Sequence, residues 1–211
     1  GSRMLEIGCG WGGLAEIAAR DFGAHVTGVT LSREQLGWAH ERVASAQLEA
    51  ACELRLQDYR SLAAQHQGQP FDAIVSIEMF EAVGREYWDG YFDTLRRCLK
   101  PGGYACIQSI TIRDDLFERY VKSTDFIQQY IFPGGLLPSV PQFEALARRY
   151  GFRLVRSLAF GLDYAETLRR WRDAFDKNEA KVRTLGFDER FIRIWRFYLA
   201  YCEAAFMRGN T

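Results

Sequence analysis

Residues Leu5–Ala15 read LEIGCGWGGLA, in which Gly8, Gly10 and Gly13 satisfy G-x-G-x-x-G. Glycines at that spacing, between a strand and a helix, let backbone approach a ligand at the helix N-terminus, and the first chemistry they suggest is dinucleotide binding. A nicotinamide turn needs an Asp or Glu about 20 residues on, at the end of the second strand, to take the ribose hydroxyls. Here that strand ends VTGVTLSREQ and offers no carboxylate there. Two acids stand elsewhere: Glu6, which makes E-x-G-x-G, and Asp58 in LQDYR. Thr30 and Gln35 offer neutral hydrogen bonds to a ribose instead.

The elements that must position these residues follow from periodicity. Met4–Ile7 is a short apolar strand, and after the glycines Leu14, Ile17 and Ala18 share one helix face. Ala24–Val29 is a second strand, Ser32 caps a helix running to about Ala46, and Leu54–Gln57 and Phe71–Ile77 are further strands. Tyr87–Leu99 reads as a helix ended by KPGG, Tyr104–Ile112 as a fifth strand, Val140–Tyr150 as a helix and Arg153–Phe160 as a sixth strand. Strands alternating with helices need parallel crossovers, hence a doubly wound, mainly parallel α/β sheet. Two aromatic-rich helical stretches fall outside the alternation, an insertion at about 114–138 and a C-terminal extension at about 163–208. They either thicken the core or line an apolar pocket above the carboxyl ends of the strands.

The 211 residues, 48% apolar, can bury one substantial core, so a single domain over 1–211 is expected. Twenty-seven basic and 27 acidic residues cancel, which leaves no overall attraction to nucleic acid. From Pro141 onward, however, fourteen Lys or Arg face nine Asp or Glu. Five cysteines without a C-x-x-C pair argue against a disulfide framework and a zinc site, and fit a reducing cytoplasm. His25, His40 and His66 show no ligand spacing and read as surface or structural, so no metal is expected. No apolar run approaches the roughly 20 residues that span a bilayer.

An acid before the glycines and another after the third strand resemble the class I S-adenosylmethionine (SAM) methyltransferase pattern. The longer blocks LEIGCGWGGLA, VTGVTLSREQ, LQDYR, FDAIVSIEMFEAVG, YFDTLRRCLKPGG, YIFPGGLLPS, GLDYAETL and FYLAYCEAAF closely resemble cyclopropane-fatty-acyl-phospholipid synthases and the related mycolic-acid cyclopropane synthases, over nearly the whole chain. The resemblance implies SAM bound by Glu6, Gly8, Gly10, Trp11, Gly12, Thr30, Leu31, Gln35, Asp58 and Tyr59. In it Glu6 supports the methionine end and Asp58 meets the adenine amine, while Trp11 packs on the cofactor or covers the helix start. Family members begin well upstream and continue into a final antiparallel strand, so the resemblance implies a core piece with six strands in the sheet.

The implied reaction adds the SAM methyl carbon to a cis double bond of a phospholipid acyl chain. It needs a sulfonium methyl aimed at the alkene, tolerance of a transient carbocation, and a base for the leftover proton. The resemblance makes that base a bound bicarbonate, held by Glu81, Gln108, the backbone of Ile110 and Tyr164. Glu81 in MFEAVG otherwise reads as a helix-start carboxylate. Gln108 stands where the family has His; it can donate an amide hydrogen bond but cannot titrate. Ile110 and Gln108 are otherwise alternate residues of a buried strand, and Tyr164 a core Tyr at a helix start. Cys202 aligns with a Cys proposed as catalytic, yet it shares a helix face with Phe191, Trp195, Tyr198 and Phe206, as a packed apolar residue would. Peripheral binding at the inner face of the membrane and a homodimer of the full-length protein complete the expectations. The competing readings are a SAM-dependent N- or O-methyltransferase of a small molecule and a catalytically idle SAM-binding domain, with a nicotinamide oxidoreductase further behind.

Overall fold

The computed structural model describes residues 1–65 and 68–211; the reading of His66 lies outside the described residues. The chain forms two compact units, one of residues 1–110 and 143–153, the other of 111–142 and 154–211.

The first unit is built on a five-stranded parallel sheet: β1 (Arg3–Ile7), β2 (His25–Thr30), β3 (Cys52–Leu56), β4 (Phe71–Ile77) and β5 (Leu99–Gln108), in the order β3-β2-β1-β4-β5. β1 is central, and Met4–Ile7 is buried along its whole length, as a strand covered on both faces must be. In its registers Glu6 lies opposite Gly28 of β2 and Val75 of β4. The crossover helices are α1 (Gly13–Phe22), α2 (Arg33–Ser45), the single turn α3 (Leu62–Gln65) and α4 (Trp88–Cys98). Ser32 caps α2, its hydroxyl accepting from the Gln35 N–H at 3.2 Å. Phe80, Tyr91 and Phe92 are fully buried and pack ring against ring with Phe143, from the helix α7 (Val140–Arg149).

Two expectations are corrected here. β5 starts earlier and stops earlier than Tyr104–Ile112: Leu99 already pairs with Phe71, the KPGG turn is taken up as a register shift, and the ladder ends at Gln108. Ile110 is therefore outside the strand. Residues 153–160 form no strand, so the sheet has five strands and not six. Strand propensity reports packing on a pleated, half-buried surface, and this segment finds neither ladder nor cover: Leu154, Val155 and Leu158 are all more than half exposed.

The second unit is helical. It contains α5 (Asp114–Val121), α6 (Phe126–Tyr130), α8 (Gly161–Lys177), α9 (Glu179–Thr184) and α10 (Glu189–Met207). α8 and α10 pack along each other, burying Ala165 and Leu168 from one and Ile192, Leu199 and Phe206 from the other. The aromatic residues of both stretches divide their roles. Phe117 and Phe206 are core, whereas Tyr130, Phe132, Trp171 and Phe197 remain exposed.

Candidate active site

The glycine loop leaves the C-terminal end of β1 and turns into α1. The amides of Gly8 and Cys9 both donate to the Val29 carbonyl at 2.9 Å, which fastens the loop to β2. Gly10 holds φ +50°, and a Cβ there would meet nothing within 4 Å. The loop thus presents bare backbone to open space at a helix start. Behind it Glu6 is buried, with Oε2 lacking any hydrogen-bond partner among the described residues. Burial pushes its carboxyl up to about 8. Burial, and then the charge of Glu6, raises the neighbouring Cys9 thiol to about 12.

At the end of β2 the Thr30 hydroxyl donates to Gln35 Oε1 at 3.3 Å and accepts from the Ser32 N–H at 3.2 Å. Leu31 stands exposed at the end of the same strand. Trp11 is half exposed and meets Trp38 edge-on at 6.3 Å. Asp58 caps the turn after β3, but Arg60 folds back on it: Arg60 Nε lies 2.9 and 3.0 Å from its two carboxylate oxygens. That side-chain hydrogen bond holds Asp58 below the usual carboxylate range. Tyr59 packs edge-on against Tyr91 at 5.7 Å. The Asp58–Arg60 pairing is an orientation that spacing could not reveal. The His40 ring nitrogen lies 3.2 Å from the Leu54 carbonyl, and the described residues contain no group of three or more His, Cys, Asp or Glu placed to hold a metal ion.

Beyond β4 and β5 lies a second constellation. Glu81 is largely buried and accepts the Ile110 N–H, while its Oε2 has no hydrogen-bond partner among the described residues. Burial, with the charge of Glu78 adding to it, raises the Glu81 carboxyl, and the hydrogen bonds it accepts work the other way. Gln108 donates its amide to Glu78 Oε1 at 2.7 Å, and its carbonyl accepts the Glu78 N–H at 2.9 Å. Sequence reasoning missed Glu78. Its only signal was a carboxylate directly after the last residue of β4, three positions before Glu81.

In the helical unit, Tyr164 stacks on Phe206 with ring centroids 4.5 Å apart. Cys202 is packed on α10, and burial raises its thiol to about 12, with Asp125 contributing. A thiol so placed stays protonated at neutral pH. On the outer side of α10, Arg190, Arg193 and Ile194 line a groove of about 250 Å³ with Phe126 and Tyr130.

A parallel sheet in this order, with the glycine turn at the switch point between β1 and β4, is the class I SAM-dependent methyltransferase fold. The solved mycolic acid cyclopropane synthase CmaA1, complexed with SAH and CTAB, superposes with a TM-score of 0.87 at 30% identity, covering all of this chain and 75% of that one. In sequence the chain is 44% identical to tuberculostearic acid methyltransferase of Mycobacterium tuberculosis over 99% of its own length and 48% of the relative's. It is 39% identical to cyclopropane-fatty-acyl-phospholipid synthase of Escherichia coli, over 98% of this chain and 50% of the relative. The mycolic acid cyclopropane synthetase family model matches residues 1–211, and the chain belongs to that family. It spans about half the length of the curated relatives it matches.

Proposed function

We propose that residues 1–211 act as one SAM-dependent catalytic domain that transfers a methyl carbon to cis double bonds of phospholipid acyl chains, closing a cyclopropane ring. The observation that carries this is the conjunction of the bare Gly10 turn and the orphan Glu6 oxygen with the Glu81 constellation at the neighbouring strand ends. When bound, SAM supplies an electrophilic methyl on sulfonium. Glu6, Gly8, Gly10, Trp11, Gly12, Thr30, Leu31, Gln35, Asp58 and Tyr59 would hold it, the adenine end requiring Arg60 to share Asp58. A cationic ammonium is the partner that a buried, unpaired carboxylate such as Glu6 best accommodates.

Glu81 anchors the chain leaving β5 and sets negative charge where an alkene carbon becomes electron-poor. Tyr164 and Cys202 enter as the residues the family pattern assigns. Bicarbonate is the base in that pattern, but the Ile110 N–H is given to Glu81 and the Gln108 amide to Glu78. Two of the expected contacts are thus committed to the chain's own carboxylates, and we derive no step through bicarbonate. The substrate lies in a bilayer, so the protein works as a peripheral protein at the inner face of the membrane, as a homodimer in its full-length form. No helix among the described residues is long and apolar enough to cross a membrane.

The similarity to tuberculostearic acid methyltransferase favours a second reading, methyl transfer that ends in a branched chain without ring closure. Incubating the protein with vesicles of unsaturated phosphatidylglycerol and methyl-labelled SAM tests both. A labelled acyl chain one CH2 heavier is expected, and fragmentation tells a ring from an alkene. Label found only in small amines or alcohols overturns the proposal.

A further inference from the structure

Glu78 follows the last residue of β4 and holds φ +49°, a left-handed conformation that a glutamate seldom adopts. Strain of this kind persists only where surrounding contacts over-determine it, and it concentrates at working sites. Here those contacts include two hydrogen bonds with Gln108, one from the Gln108 amide to Glu78 Oε1 and one from the Glu78 N–H to the Gln108 backbone carbonyl. Together they present the carboxylate at the C-terminal end of the sheet. The next residue places this loop against the glycine turn, since a Cβ on Gly8 would sit 2.9 Å from Met79 Cγ. Glu78 therefore stands beside the β1–β4 switch point, where ligands of such sheets bind, and its charge is felt at Glu81.

The same contacts disfavour an added anion. A bicarbonate here would be a third negative charge beside two carboxylates. Two of the contacts expected to hold it, the Ile110 N–H and one hydrogen of the Gln108 amide, are already bonded to those carboxylates. Gln108 is what a built-in carboxylate requires of its neighbour: it donates without competing for the proton.

Resting on the methyl-transfer reading above, we infer that the Glu78 carboxylate, held by Gln108, is the base that removes the leftover proton in place of bicarbonate. The alkene π pair forms the new C–C bond as the carbon–sulfur bond breaks and its electron pair leaves on sulfur. The adjacent carbon is left cationic. Glu78 then takes one proton from the new methyl group, and the released C–H pair closes the three-membered ring or, where a 1,2-hydride shift has first moved the cation onto the methyl-bearing carbon, becomes the double bond of a methylene branch. Glu78 ends protonated and returns the proton to water.

The test compares wild type with Glu78→Gly and Glu78→Gln in buffer purged of carbon dioxide, then with bicarbonate added. Wild type should keep its rate within about twofold without bicarbonate, and both variants should lose about 10²-fold or more. Added bicarbonate should restore Glu78→Gly by at least about tenfold, because glycine opens the space and accepts the positive φ. A readout independent of turnover is the 13C signal of labelled bicarbonate, which should broaden with Glu78→Gly and not with wild type. Calorimetric SAM affinity, unchanged in both variants, certifies that they fold. Wild-type dependence on bicarbonate, or binding of labelled bicarbonate to wild type, overturns the inference. If wild type modifies no lipid at all, the functional reading fails on its own, and the labelled-bicarbonate titration still decides whether Glu78 fills that anion's place.

Discussion

The Ile110 N–H donates to the carboxylate of Glu81, so the turn leaving β4 is tied to the chain leaving β5 through one side chain. Glu81 is thereby both a fastener and a charge, and the two roles separate by substitution. Glu81→Gln keeps an oxygen for Ile110 and removes the charge, while Glu81→Ala also leaves a part-buried N–H without that partner.

Product formation should fall by about 10²–10³-fold in both variants if the charge stabilises an electron-poor carbon. Only Glu81→Ala should also lose stability, by about 1–3 kcal/mol in denaturant melts. The pH profile gives a second check. Burial raises the Glu81 carboxyl, so its charged form is present above that raised value and lost as pH falls through it. The wild-type rate should show an acidic limb above the ordinary carboxylate range, and that part of the fall should be missing in Glu81→Gln. Full turnover by Glu81→Gln would remove Glu81 from the chemistry.

Glu6 makes a thermodynamic prediction. Its folded pKa is raised by burial to about 8 from 4.5, so across that window the folded state holds a proton that the unfolded chain has released. Stability must then decline as pH rises from about 4.5 through about 8, the reverse of a salt-bridged carboxylate. Thermal melts of Glu6→Gln should match wild type near the acidic end and exceed it by several degrees at the alkaline end. Parallel curves would show that Glu6 is not the titrating group.

What could be read in advance was local. The span Phe71–Ile77 and the Ser32 cap follow from neighbouring residues, and both appear as expected. Residues 153–160 carry the composition of a strand, yet a strand exists only with a ladder partner, and composition does not encode one. The Glu6, Gly8 and Gly10 spacing marked the turn that leaves β1, and the family resemblance of MFEAVG named Glu81 as a candidate. Glu78 was passed over because what sets it apart is a positive φ and a bond to a residue thirty positions on. The Arg60 clasp on Asp58 is hidden for the same reason: it is a choice of rotamer.

The glycine turn separates ligand approach from packing. Gly12 holds φ +78°, and a Cβ there would lie 2.8 Å from Ala39 Cβ and 3.1 Å from its Cα, a clash with helix α2 itself. Gly10 has a positive φ but open space. Gly12→Ala should lower the melting temperature clearly, by strain plus overpacking of about 1–3 kcal/mol. Gly10→Ala should cost less stability and more SAM affinity, roughly tenfold or above by calorimetry. Equal SAM affinity in Gly10→Ala and wild type would show that the ligand does not approach that backbone.

The groove on α10 carries the membrane proposal to a measurement. Phe126 meets Phe197 edge-on at 4.6 Å and lies 6.2 Å from Tyr201, so the groove continues into an exposed aromatic strip. Arg190 and Arg193 stand at its rim, and the nearest carboxylate contact of Arg193, Glu189, is long at 4.0 Å. Two cations above aromatic rings suit anionic headgroups over acyl chains, each cation contributing about 1 kcal/mol at low ionic strength. Reversing both, in Arg190→Glu with Arg193→Glu, should therefore cut flotation with phosphatidylglycerol vesicles by at least about thirtyfold at low salt, with a smaller effect at high salt, where screening already weakens the pull. Phe197→Ala should weaken binding at both salt levels, because burying a ring does not depend on ions. Vesicle binding untouched by all three substitutions would place any membrane contact elsewhere in the protein.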